Sequence, residues 1–226
     1  MTTKTPSLAS TTQVPPDWYK RLFAWLMAHG NAKYEKDIAD RKQALFADLN
    51  GNVLEIGPGT GPNLSYYPAN IHWIGIEPNS FMHPYLRQEA ERLGLDIDIR
   101  SRSAEQLGVE DNSMDAVVGT LVLCSVDNLT VTLQEILRVL KPSGRFFFIE
   151  HVASPQKTWL RRVQHLIRPL WKVLADGCCP DRETRVALEN AGFKCVNYQH
   201  FQADVPPIVS PQIIGVATKK VTKPCS

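Results

Sequence analysis

The sequence predicts an α/β protein with a doubly wound, mostly parallel sheet of seven strands, in which the last strand is antiparallel. Three observations support this fold class. From residue 52 onward, short apolar runs alternate with segments of helical periodicity, as in βαβ units. The first apolar run ends in a glycine-rich turn at residues 57–61. Two apolar runs near the C-terminus, at residues 193–201 and 213–218, suit an antiparallel hairpin.

The order of these segments sets the expected topology. Five strands are expected before the hairpin, at residues 52–56, 71–77, 95–100, 115–120 and 145–150. Helices are expected at residues 79–93, 127–140 and 181–192, the last two capped by Asp127 and Asp181. Lys141-Pro142-Ser143-Gly144 is expected to turn the chain into the fifth strand. Helices of such a series cover both faces of the sheet.

Two helical segments lie outside the alternation. Residues 17–50 precede the first strand and are expected to form an N-terminal appendage of two helices, 17–29 and 32–49, the first capped by Asp17. Residues 158–174 follow the fifth strand as a helical insert, with a kink expected at Pro169. Residues 1–16 are rich in Ser, Thr and Pro and are expected to be a flexible tail, which leaves 17–226 as a single domain.

Composition excludes several classes of protein. A hydrophobic content of 43% and a charged content of 21% are ordinary for a folded protein, and a net charge of +2 gives no strong field for nucleic acid. No apolar run reaches the roughly 20 residues that span a bilayer, and no signal-peptide pattern opens the chain. The cysteines form no C-x-x-C pair, which argues against a disulfide framework or a metal site and for a reducing, cytoplasmic location. They are Cys124, Cys178, Cys179, Cys195 and Cys225.

The glycine-rich turn is the first candidate binding element. Gly57, Gly59 and Gly61 let the chain leave a buried strand sharply and let a ligand approach the backbone. The helix expected next would point free N–H groups at an anionic ligand. Glu77 closes the second strand about twenty residues on, where a carboxylate accepts the hydroxyl hydrogens of a ribose. These features leave two ligands open: a dinucleotide or S-adenosylmethionine.

The spacing of the glycines distinguishes a dinucleotide from S-adenosylmethionine as the ligand. The dinucleotide fingerprint needs a glycine where this chain has Pro62. The run Glu55-Ile56-Gly57-Pro58-Gly59-Thr60-Gly61 instead resembles the first motif of class I S-adenosylmethionine-dependent methyltransferases. Ser103-Ala104-Glu105, Thr120-Leu121 and residues 137–145 resemble later motifs of that Rossmann-like family in the right order. The resemblance implies contacts with the cofactor from Glu55, Gly57, Pro58, Gly59, Thr60, Gly61, Asn63, Glu77, Pro78, Asn79, Ser103, Ala104, Glu105, Thr120 and Leu121, with Tyr34 as a lid.

Three further stretches narrow the resemblance. Residues 120–126, 148–152 and 176–179 resemble the methyltransferase-like alkyl-thiol methyltransferases. This resemblance implies a small-molecule acceptor, most simply an alkyl thiol, with methylation at oxygen, nitrogen or carbon of a small molecule or lipid headgroup as the alternative. That family carries an N-terminal membrane anchor, whereas residues 18–28 of this chain are too short for one and include Lys20 and Arg21.

Two other functions remain open. One is methylation of nucleic acid, which expects a polar Asn/Asp-Pro-Pro-aromatic motif after the fourth strand. This chain has Leu121-Val122-Leu123-Cys124 there, so that function ranks low. The other is a non-catalytic adenosyl-binding protein, which would bind the cofactor without turnover.

The candidate catalytic residues follow the fifth strand. His151 lies just past that strand and is the first candidate for the base that removes the acceptor's proton. Asp176 is the candidate either to orient the His151 ring or to deprotonate the acceptor itself. Residues 155–180 are expected to cover the acceptor site. The insert is basic and amphipathic, so its exposed face is solvated or touches a membrane surface. The basic and aromatic residues of the insert are Trp159, Arg161, Arg162, Arg168, Trp171 and Lys172.

Overall fold

The computed structural model describes residues 15–221, so the predicted tail, apart from its last two residues, and Cys225 lie outside the described part of the chain. Seven strands form one sheet in the order β3-β2-β1-β4-β5-β7-β6. All neighbouring strands pair in parallel except β7, which is antiparallel to both β5 and β6. The strands are β1 (Gly51–Ile56), β2 (Ile71–Ile76), β3 (Asp98–Arg100), β4 (Met114–Thr120), β5 (Leu140–His151), β6 (Cys195–Gln202) and β7 (Pro211–Thr218). The predicted fold class is confirmed.

Helices flank this sheet and precede it. They are α1 (Asp17–Gly30), α2 (Ala32–Asp37), α3 (Ala39–Phe46), α4 (His83–Leu93), α5 (Leu129–Val139), α6 (Trp159–Leu174) and α7 (Thr184–Asn190). The single helix predicted for residues 32–49 is wrong, because the chain breaks at the fully buried Ile38. The helix predicted from Asn79 begins only at His83, since the Asn79 side chain accepts a hydrogen bond from the N–H of Phe81 in a turn.

Three predicted caps are wrong. The side chain of Asn128, not Asp127, accepts a hydrogen bond from the N–H of Val131 at 3.1 Å and caps α5. No side-chain cap precedes α7, and Asp181 instead contacts Nδ1 of His165 at 3.0 Å. Asp17 lies in the first turn of α1, where a negative charge favours the helix dipole, and not at its cap.

The corrected cap of α5 gives a stability prediction. Asn128→Ala is expected to lower the free energy of unfolding by about 1 kcal/mol, because the N–H of Val131 loses its partner. Asp127→Ala is the matched control and is expected to change it by less than about 0.5 kcal/mol. Urea unfolding followed by circular dichroism measures both. Equal losses in the two variants would contradict the cap assignment.

Two predicted strands begin three or more residues away from the observed ones. β5 starts at Leu140, five residues before the predicted strand, because the predicted turn at residues 141–144 lies inside it as an irregularity. Ser143 there has φ of 64°, a left-handed conformation, and the pairing register with β4 shifts at this point. β3 is shortened to Asp98–Arg100. These changes lie at the amino ends of the two strands and leave the carboxyl ends where the alternation placed them.

Two hydrophobic clusters lie on opposite faces of the sheet. Phe146 and Phe148 of β5 belong to one, with the buried side of α5. Phe147 of the same strand belongs to the other, together with Leu86 of α4. Alternation along a strand sends successive side chains to opposite faces, so β5 is buried on both. The sheet therefore holds the ends of β1, β2, β4 and β5 rigidly at one edge.

Candidate active site

The candidate site lies where the carboxyl ends of the parallel strands meet. The strand order reverses between β1 and β4, because β2 and β3 lie on one side of β1 and β5 on the other. In open α/β sheets the crevice at such a switch point is where ligands bind. A cavity of about 470 Å³ beside Asp48 and Arg145 opens at the opposite end of the sheet, so it is not the candidate site.

The glycine-rich turn adopts the conformation that its sequence predicts. Gly57, Gly59 and Gly61 have φ of 63°, 57° and 89°, all in the left-handed region that side chains disfavour. A Cβ on Gly57 would lie 2.8 Å from Cγ2 of Val122, so the loop that follows β4 packs directly on the backbone of Gly57. A Cβ on Gly59 would meet nothing within 4 Å. The turn is therefore packed on one side and open to a ligand at Gly59.

Glu77 lies against this turn, as the spacing predicts. Its Oε2 accepts a hydrogen bond from the N–H of Gly59 at 3.1 Å, and its Oε1 accepts one from the N–H of Asn79 at 2.8 Å. Burial raises the pKa of Glu77 to about 7, although the two backbone hydrogen bonds act in the opposite direction. A buried carboxylate that is held beside a glycine turn suits a neutral diol donor such as a ribose.

Glu55 supports the crevice from behind. It is fully buried and accepts hydrogen bonds from Nδ2 of Asn63 at 2.7 Å and from Nε1 of Trp73 at 3.0 Å. Burial raises its pKa. Nδ2 of Asn63 also donates to Oγ1 of Thr120 at 3.1 Å, which ties the turn to the end of β4. Oδ1 of Asn63 is buried and finds no hydrogen-bond partner within residues 15–221.

The same edge carries Ala104, Glu105 and Leu121, three of the other predicted cofactor contacts. Ala104 is buried next to Glu105, whose Oε1 accepts a hydrogen bond from the N–H of Asn128 at 3.1 Å. Leu121 has φ of 54°, and its N–H donates to the carbonyl of Ile149 at 2.8 Å. Tyr34 lies elsewhere, on the β7 side, where its hydroxyl donates to Oε1 of Gln212 at 2.9 Å. Since Gln212 pairs with His151, the structure places Tyr34 near the candidate base and not over the glycine turn.

His151 ends β5 and is 3% exposed. Its Nε2 lies 3.0 Å from Sγ of Cys178, and its Nδ1 has no partner in the described chain. Asp176 does not orient this ring, which corrects one of its two predicted roles. It lies in a turn at φ of 44°, and its N–H donates to the hydroxyl of Tyr19 in α1 at 2.9 Å. Cys178 takes the place next to the imidazole.

Sequence reasoning missed the contact between Cys178 and His151. Cys178 also accepts a hydrogen bond from Nε1 of Trp171 at 3.3 Å. The neighbouring Cys124 thiol, together with burial, raises the pKa of the Cys178 thiol well above its usual range. Cys124 follows β4 and His151 ends β5, so the adjacency of these parallel strands was a signal for that pair. Cys178 comes after a long insert, and nothing in the local pattern indicates its position.

Glu150 is a second residue that the sequence reasoning missed. Its Oε1 accepts hydrogen bonds from the N–H groups of Val122 at 3.0 Å and Leu123 at 2.9 Å. The side chain is fully buried, and burial raises its pKa to about 7. Glu150 therefore holds the loop after β4 in place, and this loop carries Cys124.

Helix α1 contacts two loops at this edge of the sheet. The carbonyl of Lys20 accepts a hydrogen bond from Nδ2 of Asn79 at 3.3 Å, next to Glu77. The hydroxyl of the adjacent Tyr19 accepts a hydrogen bond from the N–H of Asp176, two residues before Cys178 in the chain. None of the helices between residues 15 and 221 is long and apolar enough to cross a membrane.

The sheet order, the open glycine turn and the carboxylate held beside it define a class I methyltransferase. Comparisons with known proteins agree. Residues 54–148 match a family described as a methyltransferase domain. The chain is 36% identical over 212 residues to human (Homo sapiens) thiol S-methyltransferase TMT1A, an alignment that covers 88% of this chain and 87% of that protein. It is 37% identical over 215 residues to thiol S-methyltransferase TMT1B of Rattus norvegicus, with the same coverage of each protein.

This chain therefore belongs to the S-adenosylmethionine-dependent methyltransferase family that includes these thiol S-methyltransferases, and S-adenosylmethionine is its methyl donor. Solved structures agree on the fold. A putative methyltransferase in complex with the Haloferax volcanii Trm112 activator superposes with a TM-score of 0.68 at 17% identity, covering 92% of this chain and 100% of that one. A possible histamine N-methyltransferase from Thermotoga maritima gives 0.66 at 20% identity, covering 90% of this chain and 99% of that one.

Proposed function

We propose that this methyltransferase transfers the methyl group to the sulfur of a small alkyl thiol. The observation that carries the proposal is the buried imidazole of His151 at the end of β5, whose Nδ1 has no partner among the described residues and whose Nε2 lies beside the sulfur of Cys178. An alkyl thiol is mostly protonated at neutral pH and needs a group that removes its proton. The human and rat relatives named thiol S-methyltransferases support the same acceptor.

The residues at the glycine turn fit the cofactor. The open side of Gly59 leaves room for the cofactor's amino-acid end against the backbone. The unpartnered Oδ1 of Asn63 is an acceptor that the cofactor's ammonium group would satisfy. The carboxylate of Glu77 would hold the ribose hydroxyls, and the segment at Ser103–Glu105 would face the adenine. When bound, the cofactor supplies an electrophilic methyl group on a positively charged sulfur.

The chain's own residues then have three tasks. His151 accepts the acceptor's proton at a ring nitrogen. Asp176 is the alternative base for that proton. The buried side chains around His151 exclude water, which favours a reaction in which opposite charges neutralise one another. Residues 155–180 cover this side of the site as part of a single domain of residues 17–226.

Methylation at another atom is the alternative. A phosphatidylethanolamine N-methyltransferase of Cereibacter sphaeroides is 30% identical over 105 residues, which cover 46% of this chain and 52% of that protein. The test is transfer of radiolabelled methyl groups from S-adenosylmethionine to a panel of alkyl thiols, phenols, amines and lipid headgroups, with products identified by mass. Thioether products support the proposal. Products from the other acceptors alone would reject it, and cofactor binding without any product would indicate a non-catalytic protein.

We further propose that α6 docks on an anionic membrane surface. Trp159, Leu166, Leu170 and Val173 of α6 are 72%, 78%, 63% and 66% exposed, and Arg162, Arg168 and Lys172 are exposed beside them. A helix with apolar residues on one face and basic residues next to them binds at the lipid interface. Helix α1 extends this surface, because its N-terminal turn bonds Asp176 just beyond α6. Its exposed apolar residues are Trp18, Leu22, Trp25 and Leu26.

The membrane proposal predicts a lipid-dependent change in sedimentation. Leu166→Asp combined with Leu170→Asp is expected to lower partitioning onto phosphatidylserine-containing vesicles at least about tenfold, since two apolar side chains no longer enter the interface. Val221→Asp, at another exposed apolar residue, is the matched control and is expected to change nothing. Vesicles of phosphatidylcholine alone are expected to bind more weakly. Equal sedimentation of all three proteins would contradict the proposal. We place the protein on the cytoplasmic side, where its buried thiols stay reduced.

A further inference from the structure

Three metal-ligating side chains converge at the carboxyl ends of β4 and β5. One ligand atom from each of Cys124, His151 and Cys178 lies within 4.8 Å of the other two. The three side chains are 2%, 3% and 7% exposed. They come from separate parts of the fold: the loop after β4, the end of β5 and the loop after α6. The N–H of Cys179 donates to the carbonyl of Cys124 at 2.9 Å, which fixes the two cysteine-bearing loops to each other.

The geometry is close to that of a tetrahedral ion site. Around one zinc ion, with Zn–S of about 2.3 Å and Zn–N of about 2.0 Å, neighbouring ligand atoms lie about 3.5–3.8 Å apart. The separation between Nε2 of His151 and Sγ of Cys178 is 3.0 Å, and no pair in the cluster exceeds 4.8 Å. Shifts of about 1 Å or less, which side-chain rotations supply, would bring all three atoms to their positions.

The charges in the cluster also suit a divalent cation. Two thiolates and a neutral imidazole cancel the charge of the ion, so the buried complex carries no net charge. The indole N–H of Trp171 already points to Sγ of Cys178, as an outer hydrogen bond to a ligating sulfur does. The neighbouring Cys179 is also buried but lies outside the cluster, and its sulfur contacts the carbonyl of Gly177 and the guanidinium of Arg182.

From this arrangement we propose that Cys124, His151 and Cys178 bind one thiophilic divalent cation of the zinc class, and that its fourth position receives the acceptor thiolate. Binding of the ion releases the two thiol protons to solvent, and the acceptor thiol releases a third when its sulfur joins the ion. With the ion bound, the metal and not the His151 ring ionises the acceptor. The second half of this inference rests on the proposed function, whereas the metal site itself does not.

The test measures metal in the full-length protein, purified without a polyhistidine tag. After exposure to zinc and exhaustive dialysis, about one zinc ion per chain is expected by mass spectrometry. Cobalt added to the metal-free protein is expected to produce sulfur-to-metal charge-transfer absorption. Cys124→Ser, Cys178→Ser and His151→Asn are each expected to lower the zinc affinity at least tenfold, and Cys179→Ser is the matched control that retains it. If a variant fails to fold, the cobalt titration of the wild-type chain still decides the question.

The outcomes separate this inference from the proposed function. Absence of zinc and cobalt binding, or equal binding by the four variants, would overturn the site. 2-Mercaptoethanol is expected to shift the cobalt spectrum, and an unchanged spectrum would overturn the role of the fourth position. Thiol methylation that survives complete removal of metal would overturn the metal's part and leave the proposed function intact. Metal binding without methylation of any thiol would remove the proposed function and leave the site.

Discussion

Replacing His151 with alanine is expected to lower kcat for an alkyl thiol about 100-fold or more, with little change in cofactor affinity. The imidazole is buried beside Cys178 on the acceptor side, whereas the cofactor residues cluster around Gly59 and Glu77. A positioned group that handles a proton contributes about 10²–10⁴ to a rate, and its removal leaves a protonated thiol facing the methyl donor. Initial rates with saturating S-adenosylmethionine measure the effect, and calorimetry measures cofactor binding.

The matched control for this variant is His200→Ala. His200 is exposed on β6 and is separated from β5 by β7, so its loss is expected to leave the rate unchanged. Circular dichroism of the His151 variant checks that the fold survives the loss of a buried side chain. Full activity of a folded His151→Ala protein would remove this residue from the reaction. A parallel loss of cofactor affinity would show that it acts through the structure of the crevice.

Glu77→Ala is expected to weaken S-adenosylmethionine binding about 10–100-fold. The carboxylate is the group that we expect to accept both ribose hydroxyl hydrogens, and hydrogen bonds to a charged acceptor are the strong ones. Its two oxygens are already oriented by the N–H groups of Gly59 and Asn79, so little entropy is lost when the ribose arrives. Calorimetric titration measures the affinity. Glu91→Ala, at an exposed carboxylate in α4, is the control, and similar affinity of all three proteins would contradict the ribose assignment.

The same residue predicts a pH dependence of cofactor affinity. Burial raises the pKa of Glu77 to about 7, and only the ionised carboxylate can accept from both hydroxyls. Protons therefore compete with the cofactor below that value. Affinity is expected to be nearly constant above pH 8 and to fall about tenfold between pH 8 and pH 6. Glu77→Gln cannot ionise, so it is expected to bind weakly with no such slope. An equal slope in wild-type and variant proteins would assign the titration to another group.

The sheet could be predicted from sequence because strand alternation, the glycine turn and the acid after β2 are local signals. The details that failed depend on distant contacts. Asp127 and Asn128 are both good caps, and only the direction in which the chain enters α5 selects the second. Ile38 breaks a continuous helical pattern because its side chain is drawn into a cluster with Ile149 of β5. The periodicity of the sequence predicts neither the cap at Asn128 nor the break at Ile38.

In the candidate site, the cofactor residues could be predicted from local motifs and the residues on the acceptor side could not. The glycine turn was predicted from its motif, and Glu77 was predicted from its distance along the chain after that turn. The acceptor side has no such motif in this sequence. Cys178 reaches His151 only after the chain has passed through α6, and a separation of 27 residues carries no information about contact. The prediction that the cysteines bind no metal considered spacing alone, and the fold places two of them beside one imidazole.

Helix α1 is bonded to two loops: the carbonyl of Lys20 accepts a hydrogen bond from Nδ2 of Asn79 after β2, and the hydroxyl of Tyr19 accepts one from the N–H of Asp176 after α6. Because one helix is bonded to both loops, a displacement of α1 that opens the cofactor site also loosens the loop that carries Cys178 beside His151. Steady-state kinetics should therefore follow a compulsory order of addition, with the larger cofactor entering first and its demethylated product leaving last.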